Sequence, residues 1–189
     1  MSVRALVAAL LFVVAGACGP TKLVGTELGS RPAPDFTLTD GITGVPLTLS
    51  AQRGKVVALA FLYTRCPDVC PLTAEKVRQT QRALGAERDR LLFVAVTVDP
   101  EHDTPDAVRA FARDHGLDSG FAYLIGAPAQ LGSVWSAYGV RVVPDPSTFV
   151  GHTDAIYLID PQGRERLLVH SDLAIDDLTA DVKALASGR

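Results

Sequence analysis

Three things are scarce in this 189-residue sequence. Cysteine occurs at only three positions, 18, 66 and 70, too few to staple a small disulfide scaffold. Positive charge has no surplus: 18 Lys+Arg against 21 Asp+Glu leave a formal net charge of −3, so no global attraction draws the chain to nucleic acid. Long apolar runs are missing too. The N-terminal one, Ala5 to Val14, is shorter than the ~20 residues that cross a bilayer comfortably. The sequence contains no internal repeat and no low-complexity segment. Against these absences stands a 48% share of hydrophobic residues, enough for one well-filled core and for one domain rather than two. A disordered chain would be poorer in aliphatics and richer in net charge.

The N-terminus reads as an export address. Arg4 supplies a short positive region, Ala5 to Val14 the apolar run, and Ala15-Gly16-Ala17 lead into Cys18, so residues 1–17 are a signal peptide. The approach to Cys18 resembles a bacterial lipobox, in which the cysteine is lipidated and becomes the mature N-terminus. Ala15 stands where such motifs usually have Leu, so ordinary secretory cleavage stays open. Either route places the protein outside the cytoplasm: a membrane-anchored lipoprotein on the periplasmic side, or a soluble periplasmic or secreted protein. Residues 18–34, rich in Gly, Pro, Ser and Thr, read as a flexible tether. Residues 35–189 are the expected folded domain.

Within that domain, Val56 to Tyr63 and Leu91 to Val98 are continuous apolar runs, as expected of strands buried on both faces of a sheet. Between them a helix is predicted to open near Pro71, with Ala74, Val77 and Leu84 on one stripe. Together these make a right-handed βαβ unit. A second helix is predicted over Pro105–His115, capped by Thr104 and stopped by Gly116. A third is predicted over Ala129–Tyr138, and a last one carries Ile175, Leu178, Val182 and Leu185. Ala155–Asp160 and Glu165–His170 flank the turn Pro161-Gln162-Gly163-Arg164 as a hairpin. Pattern alone supports an α/β sandwich.

The sequence Cys66-Pro67-Asp68-Val69-Cys70-Pro71 follows a buried strand and opens a helix, whose free N–H groups favour thiolate over thiol. At i, i+4 spacing both sulfurs fall on one side of a helical turn. They can close a redox-active disulfide, or grip a soft ion such as Cu(I), or Zn(II) with further ligands. A static structural disulfide is the plainer alternative in an exported protein, although closing so short a loop gains little entropy.

Three blocks carry a resemblance. Phe61 to Pro71, FLYTRCPDVCP, is similar to the Sco/SenC signature Tyr-Thr-x-Cys-Pro-Asp-x-Cys-Pro. Val98 to Pro105, VDPEHDTP, resembles the family block Val-Asp-Pro-x-x-Asp-Thr-Pro. Gly151 to Gly163, GHTDAIYLIDPQG, resembles the segment in which a histidine precedes a Tyr-Leu-Ile strand. The resemblance implies a thioredoxin-like fold with a central mixed sheet flanked by helices. It also implies copper as Cu(I), or Cu(II), held by Cys66, Cys70 and His152, and a role as a chaperone in assembly of the CuA centre of cytochrome c oxidase. The implied partner is the CuA-bearing oxidase subunit, with other periplasmic copper chaperones or thiol reductases beside it. Gly151 stands where many members carry Asp.

The remaining histidines have simpler readings. His115 closes a helix, where the dipole favours it; His102 is a solvated loop residue; His170 is a surface or hydrogen-bonding residue at the end of a strand. Asp68 and Asp99 are candidates to steady the ligands by hydrogen bonding, against plain roles as a turn and a strand-end aspartate. The rival function is a thiol-disulfide reductase that keeps target cysteines reduced. Such enzymes mostly use C-x-x-C and place a proline just before the strand facing the cysteines. Here Asp154 and Ala155 precede Ile156, which favours metal capture. A peroxidase resembling peroxiredoxins fits poorly, because its cysteines are widely separated.

Overall fold

The computed structural model describes residues 23–143 and 150–188. The expected signal peptide, Cys18, and the prolines 144 and 146 lie outside these. In chain order the described elements are β1 (Thr26–Glu27), β2 (Thr37–Asp40), β3 (Pro46–Thr48), β4 (Val56–Leu62), α1 (Val69–Leu84), β5 (Leu91–Thr97), α2 (Pro105–Asp114), β6 (Phe121–Ile125), α3 (Pro128–Ala137), β7 (Val142–Val143), β8 (Gly151–His152), β9 (Ile156–Ile159), β10 (Glu165–Val169) and α4 (Ile175–Ala186). Eight strands form one sheet in the order β1-β10-β9-β4-β5-β6-β2-β3, and β7 and β8 form a separate ribbon.

The sheet is mixed, as expected. β4 and β5 run parallel from Val56↔Leu91 to Leu62↔Thr97, and every residue of both is buried. Covered faces explain why neither strand alternates with polar residues. β9 returns antiparallel beside β4 and turns into β10 through the predicted hairpin. There the Asp160 carboxylate accepts from the Gln162 and Arg164 N–H groups, and Gly163 takes a positive φ of 79° that side chains avoid.

The helices follow their apolar stripes. α1 buries Ala74, Val77 and Leu84. In α2 the Thr104 hydroxyl caps the Ala107 N–H at 3.3 Å, and Gly116 at φ 61° ends the turn. His115 is the cap residue rather than the last helical one, its ring 4.5 Å from that of Phe111. In α4 Leu178, Val182 and Leu185 are buried, while Ile175 is only half-buried.

The N-terminal part departs from expectation. The stretch read as a flexible tether packs on the sheet from residue 23 onward. β1 pairs with β10, and the buried Asp181 carboxylate accepts from the Val24 and Gly25 N–H groups at 3.0 and 3.1 Å. Arg31 pairs with the buried Glu165. Turn-forming composition concealed this, because the partners that order these residues are more than 130 positions away. β2, β3 and β6 likewise extend the sheet beyond the strands read from the sequence.

Candidate metal and thiol site at the end of the central strands

β4 and β5, central in the sheet, both finish at the same end of it, and α1 begins there, an arrangement in which α/β proteins place their sites. Cys66 lies in the connection from β4 to α1. Its N–H donates to the Tyr63 carbonyl at 3.3 Å. One helical turn on, the Cys70 N–H donates to the Cys66 sulfur at 3.4 Å. Both cysteines are free thiols; Cys66 retains 7% exposure and Cys70 none. Pro71 sits in the first turn of α1, where its missing N–H leaves no orphan.

The two sulfurs are electrostatically unequal. A hydrogen bond from the Cys70 thiol, backbone N–H groups of Asp68 and Cys70, and the Tyr63 hydroxyl outweigh burial and bring Cys66 down to about 5. Cys70 moves strongly upward, because its proton is held in that bond to Cys66 and because it is buried. The pair therefore stores one proton, on Cys70, and presents one thiolate, on Cys66.

Tyr63 joins this sulfur to the histidine. Burial, the Cys66 charge and its hydrogen bond to that sulfur push the phenol up to about 12, so it remains a donor. The His152 ring stands edge-on to the Tyr63 ring, with centroids 5.9 Å apart. β8 carries His152 opposite Val142 of β7. Its Nδ1 lies 3.0 Å from the Thr153 carbonyl, an acceptor only, so Nδ1 carries the proton and Nε2 keeps its lone pair for a metal. The aromatic ring of Tyr63 thus lies beside both expected ligand types. Among the described residues, no three His, Cys, Asp or Glu side chains are gathered closely enough to hold an ion.

Removing the phenol tests this link. Tyr63→Phe takes one donor from the Cys66 thiolate, so its pKa rises. The pH midpoint of Cys66 alkylation is expected to move up from about 5 by roughly one unit, the equivalent of one charge-assisted hydrogen bond. The rate at pH 5–6 falls while the alkaline plateau holds. An unchanged midpoint would show that Tyr63 only packs against the sulfur.

The aspartates divide differently from expectation. Asp68 is exposed and its side chain caps nothing; its backbone N–H, not its carboxylate, supports Cys66. Asp99 is buried and holds Arg65, immediately before Cys66, at 3.0 Å. Its other oxygen meets His102 Nδ1 at 2.8 Å, and Arg65 Nη2 lies 2.7 Å from the same nitrogen. His102, read as a solvated loop residue, is thus tied to the site's rim. His170 is exposed and its Nδ1 contacts the Asp154 carbonyl at 2.7 Å, as a hydrogen-bonding surface residue does.

Asp103 was not singled out by the sequence. Buried at 2% exposure, it accepts from the Thr64 N–H (2.9 Å) and hydroxyl (2.6 Å) through one oxygen. Its other oxygen accepts from the Thr97 hydroxyl (2.6 Å) and the Tyr123 hydroxyl (2.9 Å). It thereby fastens the residue two before Cys66 to β5 and β6. The available signal was its place in VDPEHDTP, beside strand-end residues that needed an acceptor.

The SCO1/SenC family model matches residues 25–187. The mitochondrial protein SCO2 homolog of Mus musculus is 35% identical over 136 residues; the match covers 68% of this chain and 52% of the relative, so the chain spans about half the length of that mammalian protein. Among solved structures, copper-bound ScoI of Bradyrhizobium japonicum is 31% identical with a TM-score of 0.72, covering 82% of this chain and 99% of that one. Apo Sco1 of Thermus thermophilus is 32% identical with a TM-score of 0.75, covering 87% and 97%. These matches bear out the expected thioredoxin-like α/β fold.

Proposed function

This chain belongs to the SCO1/SenC family, and from that premise we propose that it carries copper to the CuA-bearing subunit of cytochrome c oxidase during assembly. The observation that carries the reading is the free, unequal thiol pair at the start of α1. Cys66, with 7% exposure, offers a thiolate, and the fully buried Cys70 offers a second sulfur one turn away. Two soft donors suit Cu(I), and one imidazole added to them suits either copper oxidation state. The copper bound to the related ScoI structure supports the same reading.

Copper is cargo here. Its capture displaces the Cys70 proton, because a ligating cysteine binds as thiolate. His152 Nε2 supplies the third donor, from its place against the Tyr63 ring. Transfer proceeds by exchange of these ligands for cysteines of the acceptor. Cys18 anchors the protein by lipid to the periplasmic side of the membrane, where that subunit is met.

The decisive experiment adds the copper-loaded protein to the apo CuA-bearing domain and follows the CuA spectrum. Its appearance without free copper is expected. Binding that is undiminished in His152→Ala would remove that residue from the ligand set. The inequality of the thiols favours a second reading, reduction of the acceptor's own disulfide by Cys66 with Cys70 resolving the mixed disulfide. In that case the apo, reduced protein opens the acceptor disulfide, and the spectrum forms only when copper is supplied separately.

A further inference from the structure

The register of the sheet fixes where the N-terminal segment leaves the domain. Thr26 of β1 lies opposite Leu168, Leu168 opposite Tyr157, and Tyr157 opposite Leu59 of β4. One step further toward the site, Val169, Ile156 and Ala60 are level. Each residue back from Thr26 to Leu23 therefore moves toward the level of Tyr63, the cysteine end of the sheet. The segment is held there: Asp181 takes both the Val24 and Gly25 N–H groups. Gly25 lies so close to β10 that a Cβ on it would come within 2.6 Å of Val169.

From Cys18 to Leu23 there are five residues, at most ~18 Å of extended chain. β4 alone, with seven residues, is ~23 Å long. A lipid on Cys18 therefore cannot let the domain stand inverted on the bilayer, with the Pro161–Arg164 turn down and the cysteine end held away from the surface. The tether would first have to run the length of the sheet. The surface at the cysteine end fits such proximity. Of the four exposed large hydrophobic residues among those described, three belong to it: Val24 at the tether, Leu72 in the first turn of α1, and Val143 beside the His152 ribbon.

We propose that the short N-terminal tether holds the cysteine end of the domain against the lipid headgroup surface, with Val24, Leu72 and Val143 on the rim that faces it. The exchange of cargo then takes place at the membrane, with an acceptor site that opens at the same surface. The inference rests on the reading that Cys18 carries the lipid, and it adds an orientation which that reading lacks.

Trp135, the single tryptophan of the chain, tests it. Its indole N–H donates to the Thr97 carbonyl at 3.0 Å, which places it at the cysteine end. The chain from Cys18 onward, with Cys66→Ser and Cys70→Ser, is coupled through Cys18 to maleimide-headgroup lipid in phosphatidylcholine vesicles containing dansyl-headgroup lipid. Energy transfer from Trp135 is compared with transfer in two Trp135→Phe chains carrying either Gln162→Trp or Lys55→Trp at the opposite end. The levels of Thr97 and Ile159 differ by five residues of strand, ~17 Å, so Trp135 is expected to transfer at least about twofold more efficiently than either. Equal or greater transfer from both opposite-end donors overturns the orientation. Persistence of the difference after a long Gly-Ser segment is inserted behind Gly19 overturns the tether as what holds the domain in place. Chemical coupling keeps this result independent of cellular lipidation, which fails separately if a Cys18→Ser chain still fractionates with membranes.

Discussion

Cys70→Ala is expected to erase tight Cu(I) binding and, in the same protein, to weaken Cys66 as a thiolate. On the proposed ligand set, the first effect is loss of one of two sulfur donors. Replacing a soft thiolate by solvent should cost about three orders of magnitude in affinity, roughly 4 kcal/mol, measured by competition with a Cu(I) chelator. The second effect has a defined sign. The Cys70 thiol is the largest stabiliser of the Cys66 thiolate, so without it the Cys66 pKa rises. A hydrogen bond to a charged group is worth ~1.5–3 kcal/mol, which moves the alkylation midpoint up from about 5 by about 1–2 units. Cys66→Ala removes copper equally, but leaves Cys70 buried, protonated and slow to react at neutral pH, because burial still opposes its ionisation. The asymmetry between the two variants separates this site from a static staple. If both alanine variants bound Cu(I) as tightly as the parent chain, neither sulfur would be a ligand. If the Cys66 midpoint stayed near 5 in Cys70→Ala, the proton-sharing account of the pair would fall.

How far the sequence discloses this site depends on the range over which each feature is determined. The runs that become β4 and β5 are legible because full burial writes itself into consecutive apolar residues. The α1 stripe is legible because its spacing is local, and the cysteine pair because strand, turn and helix start are adjacent in sequence. β1 and β2 are not legible. β1 is two residues long and exists because β10 and Asp181, far along the chain, receive it. Strand β2 is held by β3 and β6, and its four residues are too few for a periodicity to declare itself. His152 illustrates both cases. Its place before the Tyr-Leu-Ile strand was visible, whereas its edge-on contact with Tyr63 joins residues 89 positions apart. Tyr63 itself closes an apolar run in the sequence. Nothing in its neighbours announces that its hydroxyl meets a sulfur.

Asp103→Ala is expected to destabilise the domain by roughly 3–5 kcal/mol and to loosen the cysteine loop. It leaves the Thr97 and Tyr123 hydroxyls without an acceptor in a place where both side chains have 0% exposure, together with the Thr64 N–H and hydroxyl. An unsatisfied buried donor costs ~1–3 kcal/mol. The total stays below the sum because hydroxyls rotate. Asp103→Asn separates the two consequences. Its amide oxygen can keep both Thr64 donors, while its NH2 turns toward the two hydroxyls, which can accept instead of donating. The cost then falls to about 1–2 kcal/mol, and the loop keeps its fastening. Urea unfolding read by Trp135, whose indole is bound to Thr97, measures the first quantity. Cu(I) competition measures the second: about tenfold or more weaker in the alanine variant, as for lost outer support of a metal site, and close to parental in the asparagine variant. An alanine variant within ~0.5 kcal/mol of the parent, the range of ordinary surface changes, would mean that water replaces the carboxylate at no loss. Parental copper affinity in a destabilised alanine variant would mean that Asp103 supports the sheet alone. The loss of binding together with its rescue by asparagine would place Asp103 among the residues that position Cys66, through Thr64 and without touching the sulfur.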